Sequence, residues 1–234
     1  MFEKIESELK ILKNPDRIPI YQNFFKTGKG EYAEGDVFFG ISVPLQRKIA
    51  QKYVGASFND VKSLLLSKIH EFRLTGFFIL LYKFEIAKDE REKREIIDFY
   101  LDNIHCANNW DLIDCVAHKL LGRWLIDKDK SLLYNYAKSD NLWKKRIAII
   151  STLHFIKSNK FSDSLKISKM LLSDDQDLIH KAVGWILREI GKRDEEILRE
   201  FLKENYYHMS RTTLRYAIER FPERKRLNYL KGKF

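Results

Sequence analysis

The chain has few of the residues that interrupt or cross-link a polypeptide. Its 234 residues include 10 glycines, 4 prolines and 2 cysteines. So few glycines and prolines leave little material for tight turns and hairpins, which favours helices over a β-rich fold. Two cysteines, Cys106 and Cys115, are too few for a zinc site and are not expected to pair in a reducing compartment. We interpret both as small core residues.

Long uncharged apolar runs are also missing. No stretch approaches the roughly 18 residues of a membrane-spanning helix, and the opening MFEKIE lacks the basic and apolar regions of an export signal. We therefore expect a soluble, cytoplasmic protein that does not insert into a membrane. The chain is long enough to bury a substantial core, and we expect a single domain over residues 1–234.

The charge is strongly positive. Lys and Arg number 43 against 33 Asp and Glu, a formal net charge of +10. The excess is concentrated toward the end, where residues 185–234 hold thirteen Lys or Arg against eight Asp or Glu. A basic chain suits a polyanionic partner, with nucleic acid as the first candidate and an anionic membrane surface as the second.

Apolar residues recur at spacings of three and four over most of the chain, which predicts an all-α fold. The breaks carry cap chemistry at Ser57 with Asp60, at Asn109, at Asp140, and at Ser173 with Gln176 as a capping box. Together these signals predict helix starts near residues 58, 71, 88, 110, 129, 141, 162, 175, 194 and 210. Alternate helices are about 35 to 40 residues apart, which favours an α-solenoid of two-helix HEAT or armadillo type over an up-down bundle.

The stretch from 28 to 44 is the least helical, and its glycines predict an ordered loop before a helix. It is not a phosphate loop, because the Gly-Lys-Ser/Thr ending is absent.

Three tryptophans each share a predicted helix face with a charged residue: Trp110 with Asp114, Trp143 with Arg146, and Trp185 with Arg188. Such pairs would suit a flat, charged ligand such as a nucleobase. Beside Trp110, Asn109 and Asp111 have a ready structural explanation as cap and helix-dipole partner. Asp114, one turn further, either meets a cationic ligand or forms a salt bridge with Arg146 or Arg188.

The cations of the second half also have two interpretations. Lys145 and Arg146, and Lys181 with Arg188, are either a solvated basic face or phosphate contacts, and the same holds for Arg211 and Arg215. Gly184, inside a predicted helix, indicates the close approach of another backbone or a ligand. The six histidines show no metal-ligand spacing and no catalytic triad is recognisable, so we expect neither a metal nor a cofactor.

Five blocks in order resemble the AlkD-like DNA alkylation repair family. The resemblance covers about residues 20 to 230 and is carried by GEYAEGDVFFGISVP (30–44), NNWDLID (108–114), LWKKRIA (142–148), KAVGWILRE (181–189) and RTTLRYAIE (211–219). It implies a right-handed stack of HEAT-like repeats whose concave, basic face holds duplex DNA. Family members of the AlkD type are DNA glycosylases that release N3- and N7-alkylated purines without metal or cofactor.

The resemblance also implies roles for individual residues. Trp110, Asp114 and Trp185 would frame the lesion, Arg146 and Arg188 would contact DNA beside it, and Tyr32 would be an N-terminal DNA contact. We expect a monomeric glycosylase that acts on alkylated double-stranded DNA in base excision repair, with Asp114 as the central catalytic residue. The alternative is a non-catalytic HEAT-like module that binds DNA or another macromolecule, because the family also contains inactive branches.

Overall fold

The computed structural model describes residues 1–233, which form two compact units. Unit 1 runs from Met1 to Val116, and unit 2 begins at Ala117. The helices of unit 1 are α1 (Phe2–Ile11), α2 (Ile18–Phe24), α3 (Val43–Lys52), α4 (Phe58–Leu65), α5 (His70–Ile86), α6 (Glu90–Asp102) and α7 (Trp110–Asp114). Those of unit 2 are α8 (Leu121–Leu125), α9 (Ser131–Ala137), α10 (Leu142–Ser151), α11 (Leu153–Lys157), α12 (Ser162–Met170), α13 (Asp177–Gly191), α14 (Glu195–Asn205), α15 (Arg211–Ala217) and α16 (Glu223–Leu230).

Helix α5 is the core of unit 1. Every residue from His70 to Leu81 is buried, because α5 packs against α3, α4, α6 and α7. Its apolar residues face all directions instead of forming one stripe, as expected for a helix surrounded by others. The polar residues at its first turn, His70, Glu71 and Arg73, are buried as well and therefore need partners inside the protein.

In unit 2, α13 is the central helix and packs against α10, α12, α14 and α15. Helix α9 packs against α10, and α12 packs against α13. The second helices of these two pairs, α10 and α13, also pack against each other. Gly184 on α13 makes the contact with α15 possible, because a Cβ there would lie 2.4 Å from Tyr216 Cβ and 2.7 Å from the Thr213 carbonyl oxygen. The close approach predicted at Gly184 is therefore that of a neighbouring helix.

The ten predicted helix starts all fall within two residues of observed starts. The predicted capping box of Ser57 and Asp60 is present, and Asn109 caps α7. Two cap predictions are wrong. Asn141, not Asp140, caps α10. Ser173 and Gln176 form no capping box, because the side chain of Asp174 accepts the hydrogen bond from the Gln176 amide instead.

The predicted all-α fold of solenoid type is confirmed: residues 1–233 contain no strand, and a lone parallel bridge joins Val37 to Ile69. No helix in that range is both long and apolar enough to span a membrane. The single domain over residues 1–234 stays a prediction.

Candidate functional site

The glycine-containing loop of residues 28–42 is held by one buried carboxylate. Glu71, at the start of α5, accepts hydrogen bonds from the backbone amides of Phe39, Gly40 and Ile41, at 2.7 to 3.1 Å. Gly40 has a φ of +76°, and a Cβ there would lie 2.2 Å from the Asn14 carbonyl oxygen. These contacts hold the end of the loop against α5 without regular secondary structure.

A buried ionic network ties this loop to α5 and α7. His70 Nδ1 lies 3.2 Å from Asp36 Oδ2 in the loop, and His70 Nε2 lies 2.9 Å from Asp111 Oδ2 in α7. Arg73 donates to the same Asp36 oxygen at 2.8 Å and to Asn108 Oδ1 at 2.9 Å. Asn108 in turn donates to Asp36 Oδ1 at 2.8 Å. The network therefore holds the start of α7 at two points, Asn108 just before the helix and Asp111 in its first turn.

The imidazole of His70 carries a charge at neutral pH. Burial alone would lower the pKa of His70, but the charge and hydrogen bond of Asp111, together with the hydrogen bond to Asp36, outweigh it and raise the pKa to about 9. Burial likewise opposes ionisation of Asp36, yet the hydrogen bond from His70 and the charge of Arg73 hold the pKa of that carboxyl below its usual value. An imidazolium with an N–H on each side can donate to both carboxylates at once.

An aromatic stack runs from His70 to Trp110. Phe38 stacks on the His70 ring at 4.5 Å between centroids, Phe25 stacks on Phe38 at 5.1 Å, and Trp110 lies over Phe25 at 5.4 Å. Phe24 meets Trp110 edge-on at 5.5 Å. Trp110 is only half-buried, so it presents part of its indole to solvent while the stack fixes its position.

Asp114 is the last residue of the short helix α7, one turn after Trp110, and it is half-buried. The spacing of four residues places the two side chains on one helix face, as predicted from the sequence. Three contacts hold this helix: the Asn109 cap at its first amide, the hydrogen bond that His70 donates to Asp111, and the packing of Trp110. The indole and the carboxylate are thus carried by a rigid element.

In unit 2, the basic cluster of α10 is tied to neighbouring residues. Arg146 is buried, with 5% exposure, and its Nη1 donates to the Leu178 carbonyl oxygen at 2.5 Å. Lys145 forms an ion pair with Asp174, and both side chains are largely covered. Of the two interpretations of these cations, the solvated face does not describe Lys145 and Arg146, and phosphate contact stays a prediction. Lys144 beside them is exposed.

Helix α13 presents a stripe of the predicted residues. Trp185 and Lys181 are half-buried, and Lys181 pairs with Asp177 at 2.6 Å. Arg188 contacts Glu219, and its Nε lies 3.6 Å from Glu189. These cations already have carboxylate partners, so a phosphate that binds them would have to replace those carboxylates.

The remaining predicted contacts lie on α15 and in the loop of unit 1. Arg211 and Arg215 are both exposed, and Arg211 donates to the Leu230 carbonyl oxygen at 2.9 Å. Tyr32 lies in the loop of residues 28–42 and is half-buried.

Sequence reasoning missed Asp36, His70 and Arg73, and it explained Asp111 only as a helix-dipole partner. His70 and Arg73 lie 34 to 41 positions from the acids that they bind, and no periodicity connects residues so far apart. The available signal was the presence of a histidine and an arginine three residues apart at the start of a helix whose middle is apolar. Among residues 1–233 no group of three or more His, Cys, Asp or Glu side chains is placed to hold a metal ion.

Comparison with known proteins assigns the family. The model of the family described as "DNA alkylation repair enzyme" matches residues 5–221. A solved structure described as a predicted DNA alkylation repair enzyme from Enterococcus faecalis has the same fold, with a TM-score of 0.70 at 17% identity, over 90% of this chain and 97% of that one. A search of curated proteins returned no match. With nearly the whole length matched, the chain belongs to the DNA alkylation repair enzyme family.

Proposed function

We propose that the protein is a DNA glycosylase that hydrolyses the N-glycosidic bond of cationic N3- or N7-alkylated purines in duplex DNA. The observation that carries this proposal is helix α7, which holds an indole and a carboxylate one turn apart on a firmly anchored element. Membership of the family supports a role in DNA alkylation repair. The net charge of +10 supports a DNA partner, and we propose that the chain acts as a monomer, without metal or cofactor.

Removal of a cationic base needs no general acid. An N3- or N7-alkylated purine already carries a positive charge, so it leaves without being protonated by an acid. As the glycosidic bond lengthens, positive charge develops on the sugar, as it does in glycoside hydrolysis. A carboxylate beside that charge stabilises the transition state more than the ground state, which is the requirement for catalysis.

We assign the carboxylate role to Asp114, which would also orient the attacking water. At about 4 Å and an effective dielectric of about 20, a carboxylate and a cation attract by roughly 4 kcal/mol, an upper figure. That energy corresponds to about a thousandfold in rate. Trp110 and Trp185 would each add about 0.5 to 2 kcal/mol through cation–π contact with the lesion or the sugar.

The backbone of the DNA would be bound by side chains of unit 2. We assign phosphate contacts to Arg146, Arg188, Lys145, Lys181, Arg211 and Arg215, with Tyr32 of unit 1 as a further contact. Arg215 is the most suitable of these for a test, because it is exposed. Arg146 is the least suitable, because truncation would leave the Leu178 carbonyl oxygen without this donor.

The central experiment measures single-turnover base release from a duplex that contains one N7-methylguanine. Asp114→Asn should slow release by about a hundredfold to a thousandfold while DNA affinity is kept. Asp98→Asn is the matched control, since Asp98 is an exposed acid on α6 paired with Arg94 at 3.3 Å, and it should behave as the wild type. Equal rates for wild type and Asp114→Asn would remove Asp114 from the mechanism. No release of N7-methylguanine or N3-methyladenine by the wild type, with DNA binding intact, would favour a non-catalytic module.

The phosphate contacts predict a second result. Arg215→Ala should weaken binding to damaged and undamaged duplex alike and reduce the slope of log K against log salt by about 1. Lys203→Ala, which removes an exposed charge from α14, is the control and should leave the slope unchanged. A loss confined to damaged DNA would instead place Arg215 at the lesion.

A further inference from the structure

Helix α7 has only five residues, so it depends on its surroundings for its position. Helices shorter than about 12 residues are marginal in water, because the first turn fixes several dihedral angles for one hydrogen bond. The places of Trp110 and Asp114 are therefore set by the contacts that hold α7 from outside.

Asp111 connects α7 to the buried network. It lies between Trp110 and Asp114 in the chain and is 5% exposed. Its Oδ2 accepts a hydrogen bond from His70 Nε2 at 2.9 Å, whereas its Oδ1 has no donor among residues 1–233. A buried carboxylate without a donor is costly, so α7 is stable where Asp111 meets the His70 ring.

The His70 ring is itself fixed on its other side. Its Nδ1 lies 3.2 Å from Asp36 Oδ2, and Arg73 donates to the same oxygen at 2.8 Å. Phe38 stacks on the ring with 4.5 Å between centroids, and His70 is only 1% exposed. The ring therefore cannot follow α7 if the helix shifts, and it is a fixed donor for Asp111.

Three charged groups face the ring: Asp36 from the loop, Asp111 from α7 and Arg73 from α5. With His70 protonated, these four charges cancel. The carboxylate of the neighbouring Glu71 is directed to the loop amides instead. Two further titratable side chains line the same cavity of about 250 Å³ as His70, namely Tyr21 of α2 and Cys115 after α7.

A neutral imidazole has one N–H and can donate to only one of its two carboxylates. With the hydrogen on Nδ1, a lone pair on Nε2 would face Asp111. With the hydrogen on Nε2, a lone pair would face Asp36, which accepts from Asn108 at 2.8 Å just before α7. Either form weakens one of the two points at which the network holds α7.

We propose that the protonated side chain of His70 is a positioning residue for base removal, because it sets Trp110 and Asp114 in place through Asp111. In this role His70 need not touch the DNA. That Trp110 and Asp114 act on a lesion rests on the proposed function, whereas the hold of His70 on α7 rests on contacts within unit 1. A displacement of about 1 Å can reduce a rate by about a hundredfold, so loss of this hold is measurable in the kinetics.

Two neutral variants separate the link to Asp111 from the link to Asp36. The side-chain amide of Gln reaches the place of Nε2, and that of Asn reaches the place of Nδ1. His70→Gln can therefore still donate to Asp111, whereas His70→Asn can donate only to Asp36. Single-turnover release from the N7-methylguanine duplex at about pH 7 should be slowed about tenfold by His70→Gln and about a hundredfold by His70→Asn, with DNA affinity kept.

The control is His105→Asn, which changes an exposed histidine of unit 1 and should release the base at the wild-type rate. Thermal unfolding verifies that each variant is folded during the assay. Equal rates for folded His70→Gln and His70→Asn would overturn the proposal. If His70→Asn does not fold, the pH dependence decides, because it uses only the wild type and His70→Gln.

The pH dependence is a readout that a loss of stability alone does not change. The pKa of His70 is about 9, so the wild type should lose the contribution of the charged ring as the pH rises through that value. The ratio of wild-type to His70→Gln rates should therefore fall from about ten at about pH 7 toward one at about pH 10. Taking the ratio cancels the titration of the lesion and of all other groups. A ratio that stays constant over this range would overturn the proposal.

Hydrogen exchange tests the hold on α7 without DNA. In His70→Asn, exchange of the amides of α7 should rise by at least about tenfold more than exchange of the amides of α4, which also packs against α5. If the wild type releases no base, a selective rise in α7 leaves the hold by His70 standing and rejects the glycosylase alone. If the wild type releases the base and the His70 variants match His105→Asn in both rate and exchange, the glycosylase stands and the positioning role is rejected.

Discussion

Raising the pH from 6 to 9.5 should lower the free energy of unfolding of unit 1, because protonation of His70 is coupled to folding. The pKa of His70 is about 9 in the folded protein, against an ordinary value of 6.5. A raised pKa means that the folded state holds the proton more tightly than the unfolded state. The stabilisation is therefore complete below about pH 6.5 and is lost as the pH rises through about 9.

The size of the effect follows from the same shift. A difference of about 2.5 units at 1.36 kcal/mol per unit gives an upper figure of about 3 kcal/mol. Solvent screens this interaction little, because His70 and its two carboxylate partners are buried. Asp36 acts on the opposite side, since its lowered pKa gives stability that is lost only as acid protonates it. The stabilising contributions of Asp36 and His70 are therefore both complete between about pH 4 and 6.5.

The assay uses Trp110 as a reporter of unit 1. The other tryptophans, Trp124, Trp143 and Trp185, all lie in unit 2 and can be replaced by phenylalanine. Urea unfolding followed by Trp110 fluorescence should show a midpoint that falls by about 1 to 3 M between pH 6 and 9.5, for m values of about 1 to 3 kcal/mol/M.

The variant His70→Gln serves as the control for this prediction. His70→Gln should be less stable than the wild type at pH 6, and its midpoint should change much less between pH 6 and 9.5. The difference between the two proteins removes the contribution of every other titrating group. If the wild type is as insensitive to pH as His70→Gln, or if NMR shows His70 titrating below pH 7, the account of the network is wrong.

Two further predictions use glycines as matched pairs. Gly40→Ala should destabilise the protein by about 2 to 4 kcal/mol in thermal unfolding, because backbone strain at φ +76° adds to a contact of 2.2 Å between the new Cβ and a carbonyl oxygen. Its matched control, Gly30→Ala, has φ +78° but nothing within 4 Å of the new Cβ, and it should cost about 1 kcal/mol. Gly184→Ala should destabilise unit 2 by about 2 kcal/mol or more and raise hydrogen exchange in α15, while Gly55→Ala, in open space, should change stability by less than about 0.5 kcal/mol. Equal effects within either pair would show that the close contacts are not what makes these glycines necessary.

The helices could be predicted because their signals are local. Apolar spacing and caps such as Ser57 and Asn109 lie within a few residues of the helix ends that they specify. Trp110 and Asp114 could be placed on one face for the same reason. The failed capping box at Ser173 shows where local reasoning ends, because Asp174 takes that amide and also pairs with Lys145 from α10.

The anchoring of the candidate site could not be predicted in this way. Glu71 binds a loop 30 to 32 residues earlier in the chain, and His70 joins Asp36 to Asp111, which are 75 positions apart. No pattern in one sequence says that these groups meet. Only the folded unit shows that the polar start of α5 is the point at which the loop and α7 are joined.

The carboxylate of Glu71 occupies a backbone arrangement that would otherwise suit a phosphate. Three consecutive amides converging on one oxyanion are the equipment with which many nucleotide-binding loops grip a phosphate. Here the chain supplies its own anion, so that receptor is permanently self-occupied and closed to a nucleotide. Under the proposed function, contacts with the phosphates of DNA would therefore be made by side chains and not by the amides of this loop.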